Sequence, residues 1–439
     1  MSPELITALM FGGLILGILL GYPTAFVLCG LSMFFGVIFM GPDILGLFVV
    51  RLLGLMKNYI LLAVPLFLFM GVFMERSGVA ERLFGALYLL LGGLKGGLGI
   101  ATVAICTIFA AATGVIGASE VTIGLMALPS MLKREFDKPL AAGTICAGGT
   151  LGILIPPSIM IVLYGPTAGI SVGKLFLAAL VPGILLALLY VLYIGIRCYI
   201  RPQDGPPMPV EERQASLKKK MFLLLTSIFP PLFLIFAVLG TIFLGMASVT
   251  EAAGMGALAS ILLAALYGKL KFQIVKEACR KTLGITSMIL MVALGASFFS
   301  GVFTFLDGGE VISNLLLGLP FGRYGVLATL LLLLLILGMF LDWIGIVLIC
   351  VPLFTPIGDA LGFDPIWFAV IIMINLQMSF LTPPFAYSIF YLKGIAPPEV
   401  TTAHIYKGVI PFVGLQLLGL MICILFPDLI TFLPEKLIK

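Results

Sequence analysis

Two Pro-Pro pairs, Pro156-Pro157 and Pro383-Pro384, stand 227 residues apart, and each interrupts a long apolar segment. Proline has no amide hydrogen and its ring clashes with the preceding turn, so each pair predicts a break in its helix. In hydrocarbon, freed backbone groups persist only where protein, water or a bound ion satisfies them. Two matched breaks in one membrane chain are the pattern of a secondary transporter, with its binding site between two repeats.

The membrane assignment rests on composition. The chain has 439 residues, 61% of them hydrophobic and 10% charged, with a mean hydropathy of +1.24. A soluble fold of this size could not hide that much apolar surface, so the chain reads as an all-α polytopic membrane protein. The net charge of +5 is no nucleic-acid signal, because the basic residues lie in loops between apolar segments. The seven cysteines are scattered and show neither metal-site nor disulfide spacing. The single histidine, His404, is placed in a loop, which argues against histidine-based catalysis. The N-terminus has neither the basic region nor the small-residue cleavage site of a removable signal peptide.

Spanning-length apolar runs are expected near 4–21, 24–40, 58–75, 140–164, 174–198, 221–245, 248–267, 282–305, 363–391 and 406–427, with interrupted segments at 98–130 and 323–357. Gly21-Tyr22-Pro23 is read as a tight turn between two short spans. Two halves then align feature by feature. Each has a span (58–75; 282–305), an amphipathic arm (76–94; 308–320), an interrupted segment, and a Phe-Asp turn (Phe136-Asp137-Lys138-Pro139; Phe363-Asp364-Pro365). The Pro-Pro segment and a closing span follow. The division is 1–57 for N-terminal scaffold spans, 58–200 for the first repeat, 201–220 for a cytoplasmic linker, 221–281 for central scaffold spans and an amphipathic segment, and 282–430 for the second repeat.

Charge sets the expected topology. If each interrupted segment is a re-entrant hairpin, each repeat crosses three times and the second repeat is inverted. The cytoplasmic side then receives 19 of the 25 Lys and Arg; only Arg51, Lys57, Lys174, Arg323, Lys436 and Lys439 fall on the other side. That asymmetry follows the positive-inside rule.

The hairpin tips and breaks carry the chemistry. The first tip, residues 112–120, offers Thr113, Ser119 and Glu120 among small residues; the second, residues 338–343, offers Gly338 and Asp342. Glycine permits unwinding, a helix N-terminus after a break carries partial positive charge, and free carbonyls suit a hard cation such as Na⁺. No Lys or Arg lies inside a predicted broken helix or tip. An anionic substrate is therefore expected on helix ends, hydroxyls and co-bound cations. Candidate substrate contacts are Ser119, Glu120, Ser158, Asp342 and Pro384.

The segment Gly149-Thr150-Leu151-Gly152-Ile153-Leu154-Ile155-Pro156-Pro157-Ser158 closely resembles the signature of the large membrane subunit of TRAP (tripartite ATP-independent periplasmic) transporters. Residues 375–384, with Gly338 to Asp342 upstream, resemble its second-half counterpart. The resemblance implies a bacterial inner-membrane importer of small organic acids, coupled to a Na⁺ gradient and working by an elevator motion. It also implies two partners: a small four-helix membrane subunit and a periplasmic substrate-binding protein. Carried over by motif, one Na⁺ site uses Thr113, Gly152, Ile155 and Pro157, and the other uses Gly338, Ser379, Thr382 and Phe385. Thr113-Gly114-Val115 replaces the Ser-Gly-Ser-like tip of many relatives, and Ser379 stands where many have glycine. The alternative within transport is a stand-alone dicarboxylate or anion symporter of similar fold. An intramembrane enzyme would need a facing nucleophile and base, and a channel a continuous polar pore; the sequence offers neither.

Overall fold

The computed structural model describes residues 1–114, 116–209, 216–384 and 386–437. Among them the chain forms twenty α-helices and no strand. Seven helical segments are long and apolar enough to cross a membrane. The order opens with α1 (Pro3–Leu19), α2 (Thr24–Met40) and α3 (Asp43–Met56). Gly21, at φ +85°, separates α1 from α2, so the N-terminal stretch is two helices and not one kinked rod. The helix α3 was not expected. Its fourteen residues fall short of a span, and Leu45, Val49, Val50 and Leu53 are exposed.

The first half then runs α4 (Ala63–Arg76), α5 (Val79–Leu91), α6 (Gly97–Thr113), α7 (Ile116–Leu132), α8 (Lys138–Thr150), α9 (Ile159–Ala168) and α10 (Val172–Ile200). Two connecting helices follow, α11 (Leu217–Phe243) and α12 (Val249–Leu266). The second half repeats the order: α13 (Phe272–Phe305), α14 (Gly308–Leu317), α15 (Gly322–Gly338), α16 (Trp343–Ala360), α17 (Pro365–Ser379), α18 (Tyr387–Ile395) and α19 (Thr402–Leu425). A short α20 (Asp428–Leu437) ends it. The arms, interrupted segments and broken helices thus lie where the sequence places them. Two details differ. The helix α13 starts ten residues earlier than its apolar run, because Lys276, Glu277, Arg280 and Lys281 are good helix formers on a polar face. His404 belongs to no loop: it is the third residue of α19, and it forms a reciprocal capping box with Thr401.

The Phe-Asp turns act as helix starts. The Asp137 carboxylate accepts from the Leu140 amide at 2.9 Å, and the Asp364 carboxylate accepts from the Trp367 amide at 2.8 Å. Proline sits in each first turn, where its missing amide costs nothing.

Both interrupted segments fold as helical hairpins whose two ends meet. At the base of α6–α7, the Gly96 amide donates to the Gly205 carbonyl and the Asp137 amide to the Asp204 carbonyl. Arg197 ties the same cluster together, 2.8 Å from both Asp137 and Asp204. At the base of α15–α16, the Arg323 guanidinium lies 5.7 Å from the Phe363 ring.

The helix α19 shows that the two broken helices run in opposite directions. Its early residue Gly408 packs its backbone on Pro139 and Gly143 at the start of α8, a contact that any side chain at either glycine would block. Its late residue Cys423 accepts a 3.1 Å hydrogen bond from the indole of Trp367 at the start of α17. The helices α8 and α17 therefore enter from opposite ends of α19 and approach each other at their broken ends.

Candidate functional site

In the first half, α8 passes into a single 3-10 turn at Leu151–Ile153, and helix resumes at Ile159. Pro156-Pro157 occupies the gap, and its peptide bond is cis. The Ser158 hydroxyl donates across the gap to the Ile153 carbonyl. The tip of the α6–α7 hairpin presses on the break. Gly114, at φ +65°, comes so near that a Cβ would sit 2.9 Å from the Pro157 carbonyl oxygen. Next to it, the Thr113 and Ser119 hydroxyls are 2.5 Å apart.

The second half repeats this. The helix α17 ends at Ser379, the cis Pro383-Pro384 bond lies in the gap, and α18 starts at Tyr387. At the α15–α16 tip, a Cβ on Gly338 would lie 2.5 Å from the Ser379 side chain. Ser379 donates to the Leu376 carbonyl at 2.6 Å and Thr382 to the Met378 carbonyl at 2.8 Å. Phe385, the remaining residue expected in this group, lies outside the described residues.

Of the residues expected at the two ion sites, the fold brings Gly338 against Ser379, while Pro157 meets Gly114, the neighbour of Thr113, and Gly152 meets Ala110. The backbone carbonyls of Ile155, Pro157, Gly338 and Thr382 accept no hydrogen bond among the described residues. Unengaged carbonyls at both breaks fit a hard cation, which takes its ligands from oxygen.

A cavity of about 330 Å³ lies between the tips and the breaks. Four helices begin at its wall: α7 at Ile116, α9 at Ile159, α16 at Trp343 and α18 at Tyr387. Each brings the partial positive charge of its N-terminus and unpaired amide donors. Asp342, at the N-cap position of α16, also lines the cavity. The opposite wall is formed by α4 and α13, with Leu68, Met288 and the ion pair Glu75–Lys281, whose charged atoms are 2.7 Å apart.

Among the candidate substrate contacts, Asp342 therefore lines this cavity. Ser119 and Ser158 are fully buried within the tip and the break. Glu120 is fully buried behind them, packed on Gly149 and beside Cys146 and Ser388, away from the cavity wall. Pro384 is exposed. Sequence reasoning missed Glu75, Lys281, Tyr387 and Tyr391 as lining residues. Lys281 is the basic side chain that the sequence did not place here. Its charge is paired with Glu75, so the helix N-termini are the unpaired positive groups of the wall.

Opposed helical hairpins, two broken helices and a cavity enclosed by their tips define a multi-pass membrane transport protein. Across residues 11–429 the chain matches the model of the family described as the tripartite ATP-independent periplasmic transporter, DctM component. It belongs to that family, that of the large permease subunit of TRAP transporters, and is a bacterial inner-membrane protein and not an enzyme. It is 32% identical to the C4-dicarboxylate TRAP transporter large permease protein of Pseudomonas aeruginosa, over 92% of this chain and 91% of that one. It is 30% identical to the ectoine TRAP transporter large permease protein of Halomonas elongata, over 98% and 99%. The fold is similar to the crystal structure of the YdaH transporter of Alcanivorax borkumensis, with a TM-score of 0.59, 15% identity, and coverage of 97% of this chain and 99% of that one.

Proposed function

We propose that this chain is the membrane carrier of a Na⁺-coupled importer for small organic acids. A separate binding protein delivers the substrate, and a small membrane subunit braces the carrier. The observation that carries the reading is the convergence of four helix N-termini on one cavity flanked by two breaks with unengaged carbonyls. Helix N-termini suit a carboxylate, and the carbonyls suit the cations that accompany it. Na⁺ in this reading is held at the first break by Thr113, Gly152, Ile155 and Pro157, and at the second by Gly338, Ser379, Thr382 and Phe385. Asp342 then organises the second tip beside the substrate. Relatives named for C4-dicarboxylates, sialic acid and ectoine, beside one named for isethionate, support a small organic acid as the solute.

The cavity wall also divides into two groups, α4 and α13 on one side and the tips and breaks on the other. That division supports an elevator motion, in which re-entrant hairpins and broken helices move together along a scaffold that includes α4 and α13. The tripartite assignment is tested by omission. In proteoliposomes, uptake should require this chain, the small subunit and the binding protein together. Full uptake by this chain alone would instead make it a stand-alone carrier.

A further inference from the structure

A second cavity, of about 620 Å³, lies one helical turn from the first along the same helices. On α9 the first cavity ends at Ile159 and the second begins at Leu163; on α13 the pair is Ile289 and Ala293, and on α16 it is Ile344 and Leu348. Four residues of helix separate the two by about 6 Å. The second cavity is closed on another side by α3, which supplies Arg51.

Arg51 is a built feature of this cavity. Its guanidinium lies flat on the backbone of α13 at Gly301, where a Cβ would stand 2.9 Å from Nε and 3.2 Å from an Nη atom. Among the described residues it has no ion-pair or hydrogen-bond partner. Among the described residues, no Asp or Glu lines the cavity. Its other polar groups are Asn58, Thr167, Ser297 and Ser300. The Asn58 carbonyl oxygen accepts from the Ile60 amide at 3.2 Å, which leaves the amide hydrogens as donors. An unpaired guanidinium among neutral donors matches a carboxylate, which accepts two parallel hydrogen bonds from the fork.

We propose that this second cavity is a waiting site for an organic-acid anion. Arg51 takes its carboxylate on the outer side of the protein before the anion is taken up at the first cavity. The inference rests on the reading of this chain as a carboxylate importer, and on the expected topology, which puts Arg51 and Lys57 on the outer side.

The test uses the full-length chain in right-side-out membranes, with Cys29 and Cys279 replaced by serine, since these two cysteines are not buried. Ser297→Cys supplies the reporter. Impermeant thiol reagents carrying a sulfonate or a trimethylammonium group are added from outside. Relative to a free thiol, residue 297 should favour the anionic reagent by about tenfold or more, the effect of a unit charge a few ångströms away. Arg51→Gln should abolish the preference and Arg51→Lys should keep most of it. Gly301→Ala, which keeps the charge but displaces the guanidinium, should reduce it. At least one of acetate, succinate and citrate should slow anionic labelling with Arg51 present and not in the Arg51→Gln variant. Because each ratio is taken within one variant, lowered expression cancels. The proposal is overturned if the ratio ignores Arg51→Gln, if residue 297 is not labelled from outside, or if none of the three carboxylates protects. Labelling needs no ion gradient, so failure of the Na⁺-coupling reading leaves this result standing.

Discussion

Gln377 donates through Nε2 to the Thr150 hydroxyl at 3.2 Å, and the two residues are 227 positions apart, the same separation as the Pro-Pro pairs. They are the same position in the two halves, one on α8 and one on α17, and they meet where the oppositely directed helices converge. Gln416 of α19 donates to the same hydroxyl at 3.4 Å, while Thr150 gives its own proton to the Ala147 carbonyl at 2.8 Å. All three side chains are fully buried.

This junction should behave as a coupled unit. Thr150→Val removes the acceptor of two buried amides, and a loss of about 0.6–2 kcal/mol is expected. Gln377→Leu removes one donor. Thermal unfolding in detergent should show the double variant no worse than Thr150→Val alone. Additive losses would mean that the two side chains do not depend on each other.

The second expectation concerns sidedness. The loop at 133–138, the start of the linker at 202–208 and the turn at 92–96 are held together by Arg197, Asp137, Asp204 and backbone bonds, so they must share one side of the membrane. By the positive-inside rule, the 19-to-6 division of basic residues leads us to expect the cytoplasm. A single cysteine at Glu135 should react with an impermeant thiol reagent only in inside-out vesicles, and one at Tyr324 only in right-side-out vesicles. Both reacting from one side would contradict opposed hairpins.

The sequence made the breaks, hairpins and Phe-Asp turns legible because each depends on local chemistry. Pro156-Pro157 must interrupt a helix whatever surrounds it, Gly114 permits the tight tip, and Asp137 caps the helix that Pro139 helps start. The cavity wall was less legible. Glu75 and Lys281 are 206 residues apart, and nothing local marks them as partners across α4 and α13. The helix α3 escaped notice because a hydropathy reading weighs length, and fourteen residues are too few for a span. His404 reads as a loop residue until its ring is seen accepting from the Thr401 amide at 3.2 Å.

The ion sites give a third expectation. The Thr113 hydroxyl is shared with Ser119 and with the Phe109 carbonyl at 3.0 Å, and that of Thr382 with the Met378 carbonyl. Thr113→Ala and Thr382→Ala each remove an oxygen assigned here to Na⁺, at a cost of about 1.5–3 kcal/mol by analogy with hydrogen bonds to charge. The Na⁺ concentration for half-maximal uptake should rise about tenfold or more, with a weaker effect at saturating Na⁺. Unchanged Na⁺ dependence in variants that reach the membrane would remove these side chains from the sites.

Coupling is the central claim, and uptake of labelled organic acids under gradients imposed one at a time tests it most directly. The chain would be reconstituted with its small subunit and supplied with loaded binding protein. An inward Na⁺ gradient without a proton gradient should drive accumulation, and collapsing it should stop accumulation while an imposed proton gradient fails to restore it. Uptake that follows the proton gradient and ignores Na⁺ would contradict the account and turn attention to Asp342 and Glu120 as carriers.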